Sequence, residues 1–337
     1  MQIVAITAPG TAAVLERPDP TPEDDFVVVR IDLAPMCTEY KVFTGGGTGL
    51  ALGHEAAGEV VAVARPGRVR PGDRVVVMPG TGCGRCPLCL SGDYIHCEQA
   101  PRVATPTYAQ YVRKQDWLLV PVPADLPLRH AAMACCGLGP TFGALRRMGI
   151  RASDSLVVTG LGPVGLGGVI GGVAAGARVI GVESQPYRAR LALALGAEAV
   201  VDPSDPEAAA RIRDLTGGGA DRGIDCSGSA QGQRLLIDAM RRRGHLAFIG
   251  EGGDLTVHVS RDLLRKGLTL HGHWHYNLAD APALLGLIGR LGPALDRCIT
   301  HTFPMGRFRE AWDLQAAGHC GKVLLEPWAV TAGSPGS

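Results

Sequence analysis

Cys83, Cys86, Cys89 and Cys97 follow the pattern C-x2-C-x2-C-x7-C, four thiols within fifteen residues. Four thiolates on so short a loop can close a tetrahedron around one zinc ion, leaving no open position and therefore only a structural task. Disulfides or an iron–sulfur cluster are the competing uses; a cytosolic setting argues against the first, and the short spacings suit the second loosely. A second set is dispersed: Cys37, then Gly53-His54-Glu55, then Cys135-Cys136. Two cysteines and a histidine can hold zinc with a fourth position left for water or substrate. Each residue also has a bland use, because cysteine is commonly buried and a lone histidine often sits in a core.

The third chemical signal is Gly160-Leu161-Gly162-Pro163-Val164-Gly165, a G-x-G-x-x-G turn. Its first glycine permits the tight turn, its second lets backbone approach a pyrophosphate, and its third allows helix to pack closely on strand. The phosphates then meet the positive end of a helix. Glu183 stands 23 residues after Gly160, where a carboxylate accepts from ribose hydroxyls and repels a 2′-phosphate, so NAD is favoured over NADP. Arg188 nearby tempers that preference. Ser227 and Gly250 are further candidates for cofactor contacts. A glycine-rich turn without a ligand is the alternative.

These residues need particular elements to hold them. Residues 1 to about 135 alternate Val/Ile-rich runs (26–31, 58–64, 74–78, 109–112) with Pro/Gly turns, the spacing of a β-rich domain of barrel type. From about 153 the pattern becomes strand (155–159), glycine turn, helix (164–175), strand (178–182), with further strands at 223–226 and 245–250. Strands alternating with helices imply a doubly wound parallel sheet. After about 276, one helix (308–317) and a last strand (322–326) are expected. The tail 329–337 is small and polar and is expected to fray.

Hydrophobic residues make up 46% and charged residues 19% of 337, as in an ordinary folded chain long enough for two cores. A formal net charge of +1 offers no field for nucleic acid or an anionic membrane. The apolar stretch 156–177 is broken by glycines and a proline and does not read as a membrane span. A soluble, cytoplasmic protein is expected. Lysine occurs only at 41, 114, 266 and 322, so 33 − 4 = 29 of the basic residues are arginine, a sign of GC-rich coding.

Gly53-His54-Glu55-Ala56-Ala57-Gly58, then Pro71-Gly72-Asp73-Arg74-Val75, the four-cysteine lobe and the glycine turn occur in the order of the zinc-dependent medium-chain alcohol dehydrogenases. The chain resembles that family from about residue 1 to 327. The resemblance implies a GroES-like, β-barrel-type catalytic domain over 1–137 with a structural zinc lobe at about 80–100. It further implies a Rossmann NAD-binding domain over 138–275 and a segment, 276–337, returning to the catalytic domain. Cys37, His54 and Cys136 match the catalytic zinc ligands, with Cys135 the less favoured register. Glu55 matches the carboxylate behind the metal, and Lys322 a basic position that contacts the cofactor phosphates. Two zinc ions and NAD per chain, an alcohol or ketone substrate and a homodimer or homotetramer follow from the same likeness.

The chain also departs from that family. Two residues after the first ligand the family carries Ser or Thr to relay the substrate proton; here Glu39 stands there, and the relay histidine position holds Val42. Glu39 is read as accepting the hydroxyl proton or binding a polar group of the substrate, against the alternative of an ion pair with Lys41 or an arginine. Pro79 and Trp274 are placed in the pocket wall by the comparison; Trp274 could stack on a sugar ring or serve the core. His271, His273 and His275 alternate in the manner of sheet packing rather than of a third zinc site. A polyol, sugar, cyclitol or amino sugar is the expected substrate, and antibiotic tailoring the expected setting. The rivals are a medium-chain reductase acting on an activated C=C or iminium, and a non-catalytic NAD-binding module.

Overall fold

In a computed structural model, which describes residues 1–330, the chain forms two compact units. One is Met1–Cys135 with the chain from Asn277 onward, the other Cys136–Tyr276. Of the tail expected to fray, 331–337 lie outside the described residues.

The first unit is organised around the strand Phe26–Pro35, whose run Val27-Val28-Val29 and Ile31 are buried on both faces. It pairs antiparallel with Ala56–Ala62, Tyr111–Gln115 and the C-terminal strand Lys322–Glu326. The full order is Ile299–Pro304, Lys322–Glu326, Phe26–Pro35, Ala56–Ala62, Arg74–Val77, Leu119–Pro121. Irregular register between Val28 and Val29 and between Ile31 and Leu33 bends the central strand, as bulges do where a sheet curls. Gly58 sits opposite Ile31, and a Cβ there would lie 1.9 Å from the Arg30 carbonyl oxygen. A hairpin, Gln2–Ala8 with Thr11–Glu16, adds Ile3, Val4 and Ile6 to a core that also takes Phe308, Trp312, Val323 and Leu325 from the end of the chain.

That end carries more structure than its sequence announces. Two helices, Ala281–Ile288 and Gly292–Cys298, and the strand Ile299–Pro304 precede the expected helix, Phe308–Ala316. Gly286, Gly289 and Gly292 read as punctuation there, while Pro282 and Pro293 in fact open the two helices, where a missing amide hydrogen does no harm. Among the described residues no single helix is long and apolar enough to cross a membrane.

The second unit is a Rossmann sheet of six parallel strands. Their order is Ala199–Val201, Arg178–Val182, Ser155–Thr159, Ala220–Asp225, Met240–Phe248, Thr269–Gly272. Ser155–Thr159 is buried along its whole length, which explains why its sequence runs rather than alternates. The strand order reverses between Ser155–Thr159 and Ala220–Asp225, and the carboxyl ends at such a reversal are where an open sheet binds ligands.

Gly58→Ala should lower the unfolding free energy by about 1–3 kcal/mol, the usual range for forced overpacking. Chemical denaturation checks this, and an unchanged midpoint would show that the two strands can part at no loss.

Candidate metal and cofactor sites

Among the described residues two groups of side chains bring one ligand atom each within 4.8 Å of the others: Cys83, Cys86, Cys89 and Cys97, and Cys37, His54, Glu55 and Cys136. No disulfide joins any of the ten cysteines.

In the first group Cys83 Sγ lies 3.9 Å from Cys89 Sγ, and Cys86 Sγ 3.8 Å from Cys97 Sγ. Zinc–sulfur bonds of about 2.3 Å in a tetrahedron require edges of about 3.8 Å. The donor set therefore fits one zinc ion. Local structure supplies the convergence: Cys86 caps the short helix Pro87–Leu90, and amides of Cys83, Cys86 and Cys89 point at the sulfurs of Cys97, Cys83 and Cys86. The Arg85 and Cys86 amides hold the Cys83 thiol down at about 6, while burial pushes the Cys89 thiol up to about 12. A cation among them favours the thiolate at all four.

The lobe is fastened to the sheet at its base. Gln115 exchanges two hydrogen bonds with Gly82, Tyr94 Oη donates to the Pro79 carbonyl, and Lys114 Nζ donates to the Gly80 carbonyl. Asn277 holds the far side through the Ser91 carbonyl and Asp93. Lys114 is fully buried, and that burial pushes its ammonium down to about 7. Sequence reading passed over it, because its strand reads Tyr-Val-Arg-Lys-Gln and a lysine does not stand out there.

In the second group, Cys37 follows the central strand, His54 and Glu55 immediately precede Ala56–Ala62, and Cys136 is the residue after the first unit's Cys135. Cys135 gives its thiol to the His54 carbonyl, so it flanks the group while Cys136 enters it. Gln315 Nε2 donates to the Cys37 carbonyl. His54 Nδ1 lies 2.7 Å from Glu39 Oε1, which makes Nε2 the ring nitrogen for an ion. Two thiolates, one imidazole and an adjacent carboxylate fit a zinc ion with a position left over.

Glu39 faces two of these candidate ligands. Its carboxylate is 8% exposed and takes His54 on one oxygen, with the Tyr108 hydroxyl (2.6 Å) and the Cys37 amide (3.1 Å) on the other. Burial alone would raise this carboxyl, but hydrogen bonds and charge from His54, with help from Tyr108, outweigh it and hold it at about 2. Its partner is neither Lys41 nor an arginine. Burial and the Glu39 charge push the Tyr108 phenol well above its ordinary range. Lys322 has a partner that its sequence position did not announce. Its Nζ lies 2.6 Å from Glu55 Oε1 with both side chains at 0% exposure.

The glycine turn opens the helix Pro163–Ala174. Gly160 has φ +78°, and a Cβ there would strike Ser227 at 2.7 Å; one on Gly165 would lie 2.0 Å from the Gly160 carbonyl. A Cβ on Gly162 would meet nothing within 4 Å. The protein itself thus demands the first and third glycines, whereas the space over the second suits an approaching ligand. No side chain caps this helix, which leaves its first turn to an anion in the manner of a phosphate-binding turn. Glu183 ties the turn together, accepting from the amides of Leu161, Ser184 and Gln185 at 2.9 Å each. Arg188 lies half-buried on the helix Pro186–Ala194.

Ser227 and Gly250 meet at the ends of neighbouring strands through Asp225, which sequence reading missed. Asp225 is fully buried and accepts from Thr159 Oγ1, the Ser227 amide and hydroxyl, the Gly228 amide and Gln233 Nε2, at 2.6–3.2 Å. Its strand, Ala220–Asp225, also carries Asp221 and Arg222, so the sequence did not set Asp225 apart. Pro79 is buried, whereas Trp274 is 49% exposed. His271 stacks on His245, His273 packs against Gly143, and His275 is buried at φ +56°.

Comparison with known proteins agrees with both halves. Residues 23–124 match the alcohol dehydrogenase GroES-like domain and residues 163–290 the zinc-binding dehydrogenase domain. An L-threonine 3-dehydrogenase of Symbiobacterium thermophilum is 30% identical over 95% of each chain. A sorbitol dehydrogenase of Halalkalibacterium halodurans is 28% identical, covering 97% of this chain and 99% of its own. The solved alcohol dehydrogenase TADH of Thermus sp. ATN1 superposes with a TM-score of 0.89 at 26% identity, covering 97% of this chain and 99% of its own.

Lys114 ties stability to pH. Between pH 7 and about 10.4 the unfolded lysine holds a proton that the folded one has released, so folding grows more favourable as pH rises through that window. Below pH 7 both states are protonated and the penalty is present in full. The stability difference between Lys114→Met and wild type should therefore be largest in the variant's favour at pH 7 and shrink toward pH 10. Denaturant titrations at both pH values check this; a constant difference would contradict it.

Proposed function

The chain belongs to the zinc-dependent medium-chain alcohol dehydrogenase family, and on that premise we propose that it oxidises a secondary hydroxyl of a polyol, sugar, cyclitol or amino sugar to a ketone. The convergence of Cys37, His54 and Cys136 with Glu55 carries the reading. The relatives supply the substrate class: sorbitol and L-threonine both present a secondary hydroxyl beside a second hydroxyl or an amine.

Zinc held by Cys37, His54 and Cys136 would supply Lewis-acid polarisation of the substrate oxygen, and NAD over the glycine turn would accept the hydride. The chain's own part is electrostatic and geometric. Two thiolates balance a divalent cation, and the further negative charge of Glu55 is matched by Lys322 at 2.6 Å. Glu183, already aligned by three amides, offers its carboxylate to the ribose hydroxyls. Two donor sets support two zinc ions per chain. We also propose a homodimer or homotetramer in the cytoplasm.

The family's hydroxyl relay is missing, since Glu39 faces His54 and Val42 carries no proton. That observation favours a second reading, reduction of an activated double bond.

An NAD-linked screen over aliphatic alcohols, polyols and amino alcohols separates the two. NADH should appear with vicinal polyols or amino alcohols and far less with simple alcohols; turnover confined to NAD(P)H oxidation by enones would support the second reading instead. His54→Ala should lower zinc from two to one per chain and kcat/KM by more than the 10–100-fold typical of outer-shell changes. Glu183→Ala should raise the KM for NAD about tenfold, the loss of one charge-assisted contact, and narrow the preference over NADP.

A further inference from the structure

Three donors converge on the Glu39 carboxylate, and one of them, Tyr108, comes from far along the chain. Its hydroxyl gives to Oε2 at 2.6 Å; the Cys37 amide gives to the same oxygen, and His54 Nδ1 faces Oε1 at 2.7 Å. Tyr108 also wedges the backbone before His54. A Cβ on Gly53 would lie 2.5 Å from Tyr108 Cδ1 and 2.4 Å from Thr107 Oγ1. His54 is thus fixed twice, its backbone against Tyr108 and its ring by a carboxylate that Tyr108 holds.

Resting on the reading that zinc occupies Cys37, His54 and Cys136, we propose that Glu39 and Tyr108 are positioning residues, a Tyr108–Glu39–His54 chain that sets the tautomer and ring angle of the histidine ligand. Glu39 is not the acceptor of the substrate proton. A carboxylate on Nδ1 keeps the proton there, aims the Nε2 lone pair at the ion and raises its basicity. Rotating Glu39 outward would leave the Tyr108 hydroxyl in a fully buried site without this acceptor and release the Cys37 amide beside the first ligand. Replacing the relay hydroxyl two residues after Cys37 with a longer acid thus exchanges a proton path for a brace between two ligand residues.

The test uses zinc-loaded protein challenged with a chelator, together with cobalt substitution at the catalytic position. Wild type should release two zinc ions in two kinetic classes. Tyr108→Phe should speed the release of one about tenfold or more, in the range of outer-shell partners, and leave the four-cysteine ion and the thermal midpoint near wild type. The cobalt ligand-field bands should shift in Tyr108→Phe and in Glu39→Gln. The double variant should be no worse than Glu39→Gln alone, because the tyrosine acts through the acid. Wild-type zinc release and cobalt spectra in Tyr108→Phe would overturn the proposal. So would a Glu39→Gln enzyme that loses turnover while keeping both metal properties, for then Glu39 handles the proton. A wild-type protein that binds only the four-cysteine zinc would instead remove the underlying reading.

Discussion

A fully buried ion pair, Lys322 with Glu55, joins the last strand of the first unit to the residue beside the candidate ligand His54, across 267 positions of sequence. Removing one member of such a pair strands the other in an apolar interior and typically costs about 3–5 kcal/mol. The same returning segment supports Cys37 from above and below. Gln315 holds the Cys37 carbonyl, and the Met36 amide donates to Val323. Two of the candidate ligands are therefore set by the end of the chain. That end pairs with Phe26–Pro35, the strand that leads to Cys37.

Much of this was legible because it is local. The four cysteines mark one metal-sized cluster by their spacing, and the glycine turn declares a strand–helix junction by its neighbours. Glu183 was placed because a fixed number of residues carries the chain from the turn to the end of the next strand. What stayed hidden was the direction of side chains whose partners are remote. Glu39 sits at the start of a six-residue helix, from which it could face solvent, substrate or ligand. Only Tyr108, 69 residues on, and His54 decide among these. Lys322 is a related case: family position indicates where a residue lies on a strand, while its pairing with Glu55 emerges only in the fold.

The elements show the same division. Valine-rich runs with turns between them marked the strands of both units, because burial on both faces leaves a continuous apolar trace. The stretch Ala281–Ile288 and its successors escaped because glycine and proline mean a break in one context and a helix start in another. No single-sequence rule separates the two without the packing partners.

Asp225 has a bearing on how tightly the second unit can hold a nucleotide. Its five hydrogen bonds draw Thr159, Ser227, Gly228 and Gln233 into one arrangement before any ligand arrives. Loops that order only on binding subtract that ordering from affinity, by about 0.5–1.5 kcal/mol for each side chain immobilised. Here the ordering is completed during folding. A dinucleotide bound at these strand ends would therefore not have to order them first.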